Sequence, residues 1–193
     1  MPVALRQASP VGQGDLIETA AKARLEITLP DKSVVRLGPS ARLKLTEAVF
    51  TDTGRSFKAT LMLGKIWSKV SSVFGSDRNF EIHTERAVAG VRGTIFRVDA
   101  DPSKAVLVKV YAGTVAVAGS SQIPLASPKK GERVQVPGPQ QVTRKQWERL
   151  VSEMMQIKVN AEGEPGEPTK FAEADEAKDA WAVWNRERDS AAK

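Results

Sequence analysis

The chain has 193 residues, 41% hydrophobic and 27% charged, which is enough for one ordinary domain with a buried core and too apolar for a wholly disordered chain. The absence of cysteine excludes disulfide frameworks, thiol nucleophiles and thiolate metal sites, and a single histidine, His83, removes most of the remaining catalytic and metal-ligating vocabulary. The net charge of +6 is uneven: residues 1–141 carry 20 Lys and Arg against 12 Asp and Glu, whereas residues 142–193 carry 9 against 11, a basic body with a mildly acidic tail.

The opening "MPVALRQASP" has neither the basic stretch nor the apolar stretch of an export signal. No later run approaches the roughly 18 apolar residues that span a bilayer. From residue 14 to residue 136 the pattern is alternation of period two in short runs, among them "ARLEITL", "SVVRLG", "ARLKLTE", "FKATLML", "GKIWSKV", "NFEIHT", "TIFRVDA", "AVLVKVY" and "GTVAVAG". Each reads as a strand, and turn-forming stretches such as "LPDKS", "LGPS", "DTGRS", "DADPSK" and "YAGT" separate them. None has the period of a crossover helix, so alternating strand and helix architecture is excluded. Two segments echo each other, with Ile17 and Thr19 in one and Ile82 and Thr84 in the other, which suggests two related layers or stacked coils.

After residue 136 the character changes, and "PGPQ" is a breaker. Thr143 and Gln146 stand at capping-box spacing, and Trp147, Leu150, Val151, Met154 and Ile157 follow at helical intervals, so the spacing predicts an amphipathic capping helix over 142–159. "NAEGEPGEPT" is too polar and too rich in Gly, Pro and Glu to fold alone and reads as a flexible linker over 160–169. The segment 170–193 is helical by propensity, with a thin apolar line that includes Phe171, Trp181 and Trp184. A helix with so little apolar area must dock on something. Trp181, Trp184, Arg186 and Arg188, with Phe171, are the candidate partner-binding residues, because Trp and Arg are the residue types enriched at binding hot spots. Docking in trans and folding back onto a sheet face of the same chain are both open.

The stretch "AGVRGTIFRV" sets two glycines around Arg92 inside a strand-like run. A phosphate loop would need a helix after it, and here a strand follows. A catalytic reading would combine Arg92, Thr94 and His83, but no third group orients His83, and no pair of acids stands at a catalytic spacing. The architectural reading is preferred: Gly90 and Gly93 permit a corner between coils, and the Arg92 guanidinium ties down turn carbonyls or a turn carboxylate. No catalytic residue, metal site or cofactor is expected.

The order of "GDLIETAAKARLEITLPDKSVVRLGPSARLKL", "LMLGKIWSKV", "FEIHTERAVAGVRGTIFRV" and "VKVYAGTVAVAG" resembles the FecR domain. The signature residues are Gly14, Asp15, Thr19 and Asp31 in the first half and Gly90, Val91, Arg92, Gly93, Thr94 and Phe96 in the second. Lys32 stands where the family turn usually has Gly. Little chain precedes the first motif, so trimming at the N-terminus, with loss of an export signal, is expected. The resemblance implies an all-β, double-layered solenoid or roll of short strands, taken over residues 1–141; with the helices read after it, the expected fold is this roll with a C-terminal helical extension, and a β-sandwich is the alternative. It also implies a bacterial, periplasmic or otherwise extracytoplasmic location and no enzyme activity.

Three functions are weighed. The first is a non-catalytic structural or interaction module of the cell envelope, with protein partners that include a second copy of itself. The second is a carbohydrate or peptidoglycan binder that uses Trp67 and the basic face. The third is a sensor domain of cell-surface signalling linked to sigma-factor regulation. Nucleic acid is not expected as a partner, because the Lys and Arg residues are scattered singly and not clustered among exposed aromatics.

Overall fold

The computed structural model describes residues 3–51, 54–71, 78–91, 93–120 and 148–191. In chain order the strands are β1 (Leu16–Glu18), β2 (Leu25–Thr28), β3 (Val34–Leu37), β4 (Arg42–Phe50), β5 (Arg55–Lys69), β6 (Arg78–His83), β7 (Ala87–Val91), β8 (Ile95–Ala100), β9 (Val106–Ala112), β10 (Thr114–Gly119), β11 (Glu148–Ser152), β12 (Met155–Val159) and β13 (Thr169–Lys170). Two short helices follow, α1 (Glu173–Glu176) and α2 (Ala180–Ala191). The expected all-β roll with a helical extension is the observed fold.

The strands form one curled sheet with two wings that share β5. The first half of β5 pairs with β4 and β6, and the wing continues through β7 and β10 to β11, with β1 outside β4. The second half pairs with β3 and β8, and that wing runs from β2 through β9 and β12 to β13. The alternation of buried residues changes phase along β5: Phe57, Ala59 and Leu61 face inward, then Ile66 and Ser68. A register shift at Arg42 and Leu43 of β4 accompanies the change, and Gly64 sits at the bend with φ of 94°. A Cβ at Gly64 would lie 2.6 Å from the Ala41 Cα, so only glycine lets the two chains cross there.

The chain passes between the wings again from β7 to β8, from β9 to β10 and from β11 to β12. The wings close on a continuous core that includes Ile17, Val35, Leu37, Leu43, Phe57, Leu61, Ile82, Phe96, Val98, Val108, Val115 and Ile157. Each such side chain contributes about 1.5–3 kcal/mol on burial.

Two expectations need correction. The predicted capping helix over 142–159 is, from residue 148 on, the hairpin β11–β12, with Met154 in its turn at φ of 58°; residues 142–147 lie outside the described residues. The helical stripe is divided: Val151 is buried opposite Val115, Ile157 is buried opposite Val108, and Leu150 is 67% exposed. Strands β10 and β9 offer unpaired edges that only extended chain can satisfy, and this outweighs local helical preference. The predicted flexible linker is an ordered turn. Asn160 Oδ1 accepts hydrogen bonds from the backbone N–H groups of Glu162 and Glu164, and Val159 forms a bridge with Pro165. This is the backbone-mimicking turn that Asn favours.

Candidate functional site

The outer face of the second wing carries a straight row of side chains, one from each strand: Glu26, Arg36, Trp67, Arg97, Lys109 and Gln156 are paired in register across β2, β3, β5, β8, β9 and β12. Because alternate strand residues point to opposite faces, these positions all point away from the core. The middle of the row, Arg36, Trp67 and Arg97, is nevertheless covered by the C-terminal helical segment, while Glu26 at one end stays exposed and Lys109 and Gln156 are half-buried. Trp67 is 1% exposed, Arg36 2% and Arg97 3%.

Asp179 begins α2. Its Oδ1 accepts from the backbone N–H groups of Trp181 and Ala182, and its Oδ2 accepts from Arg97 Nη1 at 2.6 Å. This is an N-cap aspartate joined to a buried guanidinium. Asp99 completes the pair with two further bonds to Arg97, both 2.6 Å. Burial would lower the pKa of Arg97, but its two carboxylate partners raise it above the usual value and keep it charged. Burial likewise works against ionisation of Asp179, yet the hydrogen bond and charge of Arg97 win and hold its carboxyl below the usual range.

At the other end of α2, Asp189 accepts from Arg36 Nη1 at 2.7 Å and from the Trp67 indole N–H at 2.9 Å. Arg36 also donates to Glu26 at 2.6 Å, and Arg188 reaches the same Glu26 oxygen at 3.2 Å. Burial favours the neutral form of Glu26, but these two guanidiniums outweigh it and lower its pKa. In α1, the carboxylate of Glu176 is 1% exposed and accepts from Lys109 Nζ and from the Tyr111 hydroxyl, both at 2.5 Å. Burial and the Glu176 carboxylate together raise the pKa of Tyr111, so the phenol keeps its proton and donates it.

The aromatic residues fill the spaces between these ion pairs. Trp67 packs on Tyr111 with centroids 4.3 Å apart, Tyr111 meets the edge of Phe171, and Trp181 stacks on Trp184 at 5.3 Å. Arg24 lies 4.8 Å and Arg188 5.1 Å from the centroid of the Trp184 ring, while Arg186 sits over Tyr111 at 5.4 Å. All five candidate partner-binding residues, Phe171, Trp181, Trp184, Arg186 and Arg188, therefore contact their own chain. Trp67 lies beneath α2 and offers no open stacking platform to a sugar.

The signature residues occupy corners. Gly14 has φ of 95° and donates to the Leu45 carbonyl, and Asp15 accepts from the Gly12 N–H. Thr19 donates to the Gly38 carbonyl and accepts from the Ala41 N–H, and Asp31 accepts from the Ser33 N–H. Gly93 turns the chain between the wings at φ of 61°, and a Cβ on neighbouring Gly113 would lie 2.9 Å from its carbonyl oxygen. Thr94 donates to the Thr114 carbonyl, Phe96 is in the core and Val91 packs against it. Gly90 has no positive φ and faces open space, so the corner is made at Gly93 and not at Gly90. Arg92 lies outside the described residues. His83 Nε2 meets Glu81 at 2.6 Å on the outer face of the first wing. The buried charges Arg36, Arg97, Glu176 and Asp189, and the half-buried Asp179, were not singled out from the sequence, although the contrast of basic body and acidic tail is their signal.

The structure is thus a curled β-roll with glycines and threonines at its corners and a helical segment held on one face through paired charges. The chain belongs to the FecR family: the profile described as FecR protein matches residues 15–116. FecR domains typically form the periplasmic region of cell-surface signalling proteins, and the family is regulatory and not known for enzymatic activity. Two crystal structures, at 1.65 and 2.50 Å, each of a candidate anti-sigma factor from Parabacteroides distasonis ATCC 8503, share the fold. They are 21% and 19% identical to the chain, with TM-scores of 0.54 and 0.55, over 82% of this chain and 60% of theirs. The chain thus spans less than two thirds of the length of the structures it resembles. No curated protein matches. Among the described residues, no helix is long and apolar enough to cross a membrane.

Proposed function

We propose that this protein is an extracytoplasmic, non-catalytic domain of cell-surface signalling that works through protein contacts in a system governing sigma-factor activity. The observation that carries the reading is the family match, which covers the β-roll from its first strand to β10. The fold shared with candidate anti-sigma factors supports it. A domain in that role transmits a signal by changing which surface a partner meets, and the helix-covered face is suited to this because its contacts are directional and charged. The test is to delete the gene in its source organism and profile transcripts. The expected result is a coherent change confined to promoters read by one alternative sigma factor; an unchanged promoter set overturns the reading.

A further inference from the structure

We infer that the outer face of the second wing is an exchangeable protein-binding surface for an acidic, tryptophan-bearing helix, held in the single chain by its own residues 171–191 and open to the same segment of a second copy. The chemistry of the face is that of an interface: Trp67 and Tyr111 lie among Arg36, Arg97, Lys69 and Lys109, the combination of aromatic and cationic residues that dominates binding hot spots. The segment is its charge complement, with Glu176, Asp179 and Asp189 placed on Lys109, Arg97 and Arg36.

A helix that served only to cap the fold would bury an apolar stripe. Here the apolar part is limited to Trp181 and Ala182, clustered with Trp67, with Trp184 half-buried beside them, and the other buried residues of α1 and α2 are the polar Asn185, Glu176 and Asp189. Such pairs add little net stability relative to apolar packing, but they are selective about what sits on them. A second copy is the occupant because its segment matches the face residue for residue. The cis arrangement prevails in dilute solution through effective concentration, and exchange of the segment yields a reciprocal dimer.

Two full-length variants test this. One carries Arg36→Glu and Arg97→Glu, the other Asp179→Arg and Asp189→Arg, so each repels its own segment while the two complement each other in trans. Each alone is expected to be monomeric by light scattering, and the equimolar mixture is expected to reach twice the mass. A mixture that stays at monomer mass, with both variants keeping their β-sheet circular dichroism, overturns the inference. If either variant loses that signal, a dye-labelled peptide of residues 169–191 is titrated into full-length Asp189→Asn and into wild type. Loosening the cis segment raises the competent fraction, so the variant is expected to bind the peptide about tenfold more tightly. Equal or absent binding overturns the proposal.

Discussion

Arg36 and Asp189, separated by 153 positions in the chain, meet at 2.7 Å beneath α2. The same carboxylate accepts the Trp67 indole N–H, so one residue of the tail satisfies two buried donors of the β-roll. Removing it leaves the Arg36 guanidinium with Glu26 and two long contacts to Asn185, at 3.4 and 3.5 Å. Asp189→Ala is expected to lower the unfolding free energy by about 2–3 kcal/mol. Asp189→Asn keeps an acceptor for Trp67 and is expected to cost less. Urea unfolding followed by tryptophan fluorescence measures both, and equal effects for the two variants contradict this account.

The ion pairs also set a pH dependence. The carboxyl groups of Glu26 and Asp179 are held below their ordinary values of 4.5 and 3.8. Their contribution is therefore fully present above those values and is lost as pH falls through the lower folded-state values. Acidification below about pH 4 is expected to release the C-terminal segment first, shifting tryptophan emission to the red while β-sheet circular dichroism persists. Simultaneous loss of both signals would show that the segment does not come away on its own.

Lys32 occupies a left-handed turn with φ of 68°. A lysine pays a steric cost there that glycine does not. Lys32→Gly is expected to stabilise the fold by roughly 0.5–1 kcal/mol, read as a rise in the thermal midpoint. A fall in that midpoint would mean that Lys32 makes a compensating interaction in this turn.

Gly64 is the opposite case. With its φ of 94° and the Ala41 backbone 2.6 Å from the place of a Cβ, Gly64→Ala must push β5 away from the turn before β4. A loss on the order of 3 kcal/mol is expected in chemical unfolding. Gly90→Ala, on the open outer face of the first wing, is the matched control and is expected to change stability by less than about 0.5 kcal/mol. Comparable losses at both sites would refute the steric reading of Gly64.

The strands from Leu16 to Gly119 were legible because alternation is local: Phe57, Ala59 and Leu61 announce one inward face with no knowledge of their partners. The hairpin β11–β12 was not legible. Val151 and Ile157 satisfy a helical stripe as well as two strands, and the choice is made by the unpaired edges of β10 and β9 far away in sequence. The glycine corner was foreseen in kind, but the close approach of Gly113 to Gly93 could only be seen once both turns were in place.

Strand periodicity and turn chemistry were enough to specify an all-β domain, and the ordered motifs, GVRGT among them, carried the resemblance to the family, because each depends on residues a few positions apart. The destination of the acidic tail was not contained in them. An outward-pointing arginine on a strand looks the same whether it meets water or a carboxylate 82 positions away, as Arg97 meets Asp179. Coulombic and hydrogen-bonding partners are selected by proximity in space, and that proximity exists only after the wings have curled and α2 has come to rest on them.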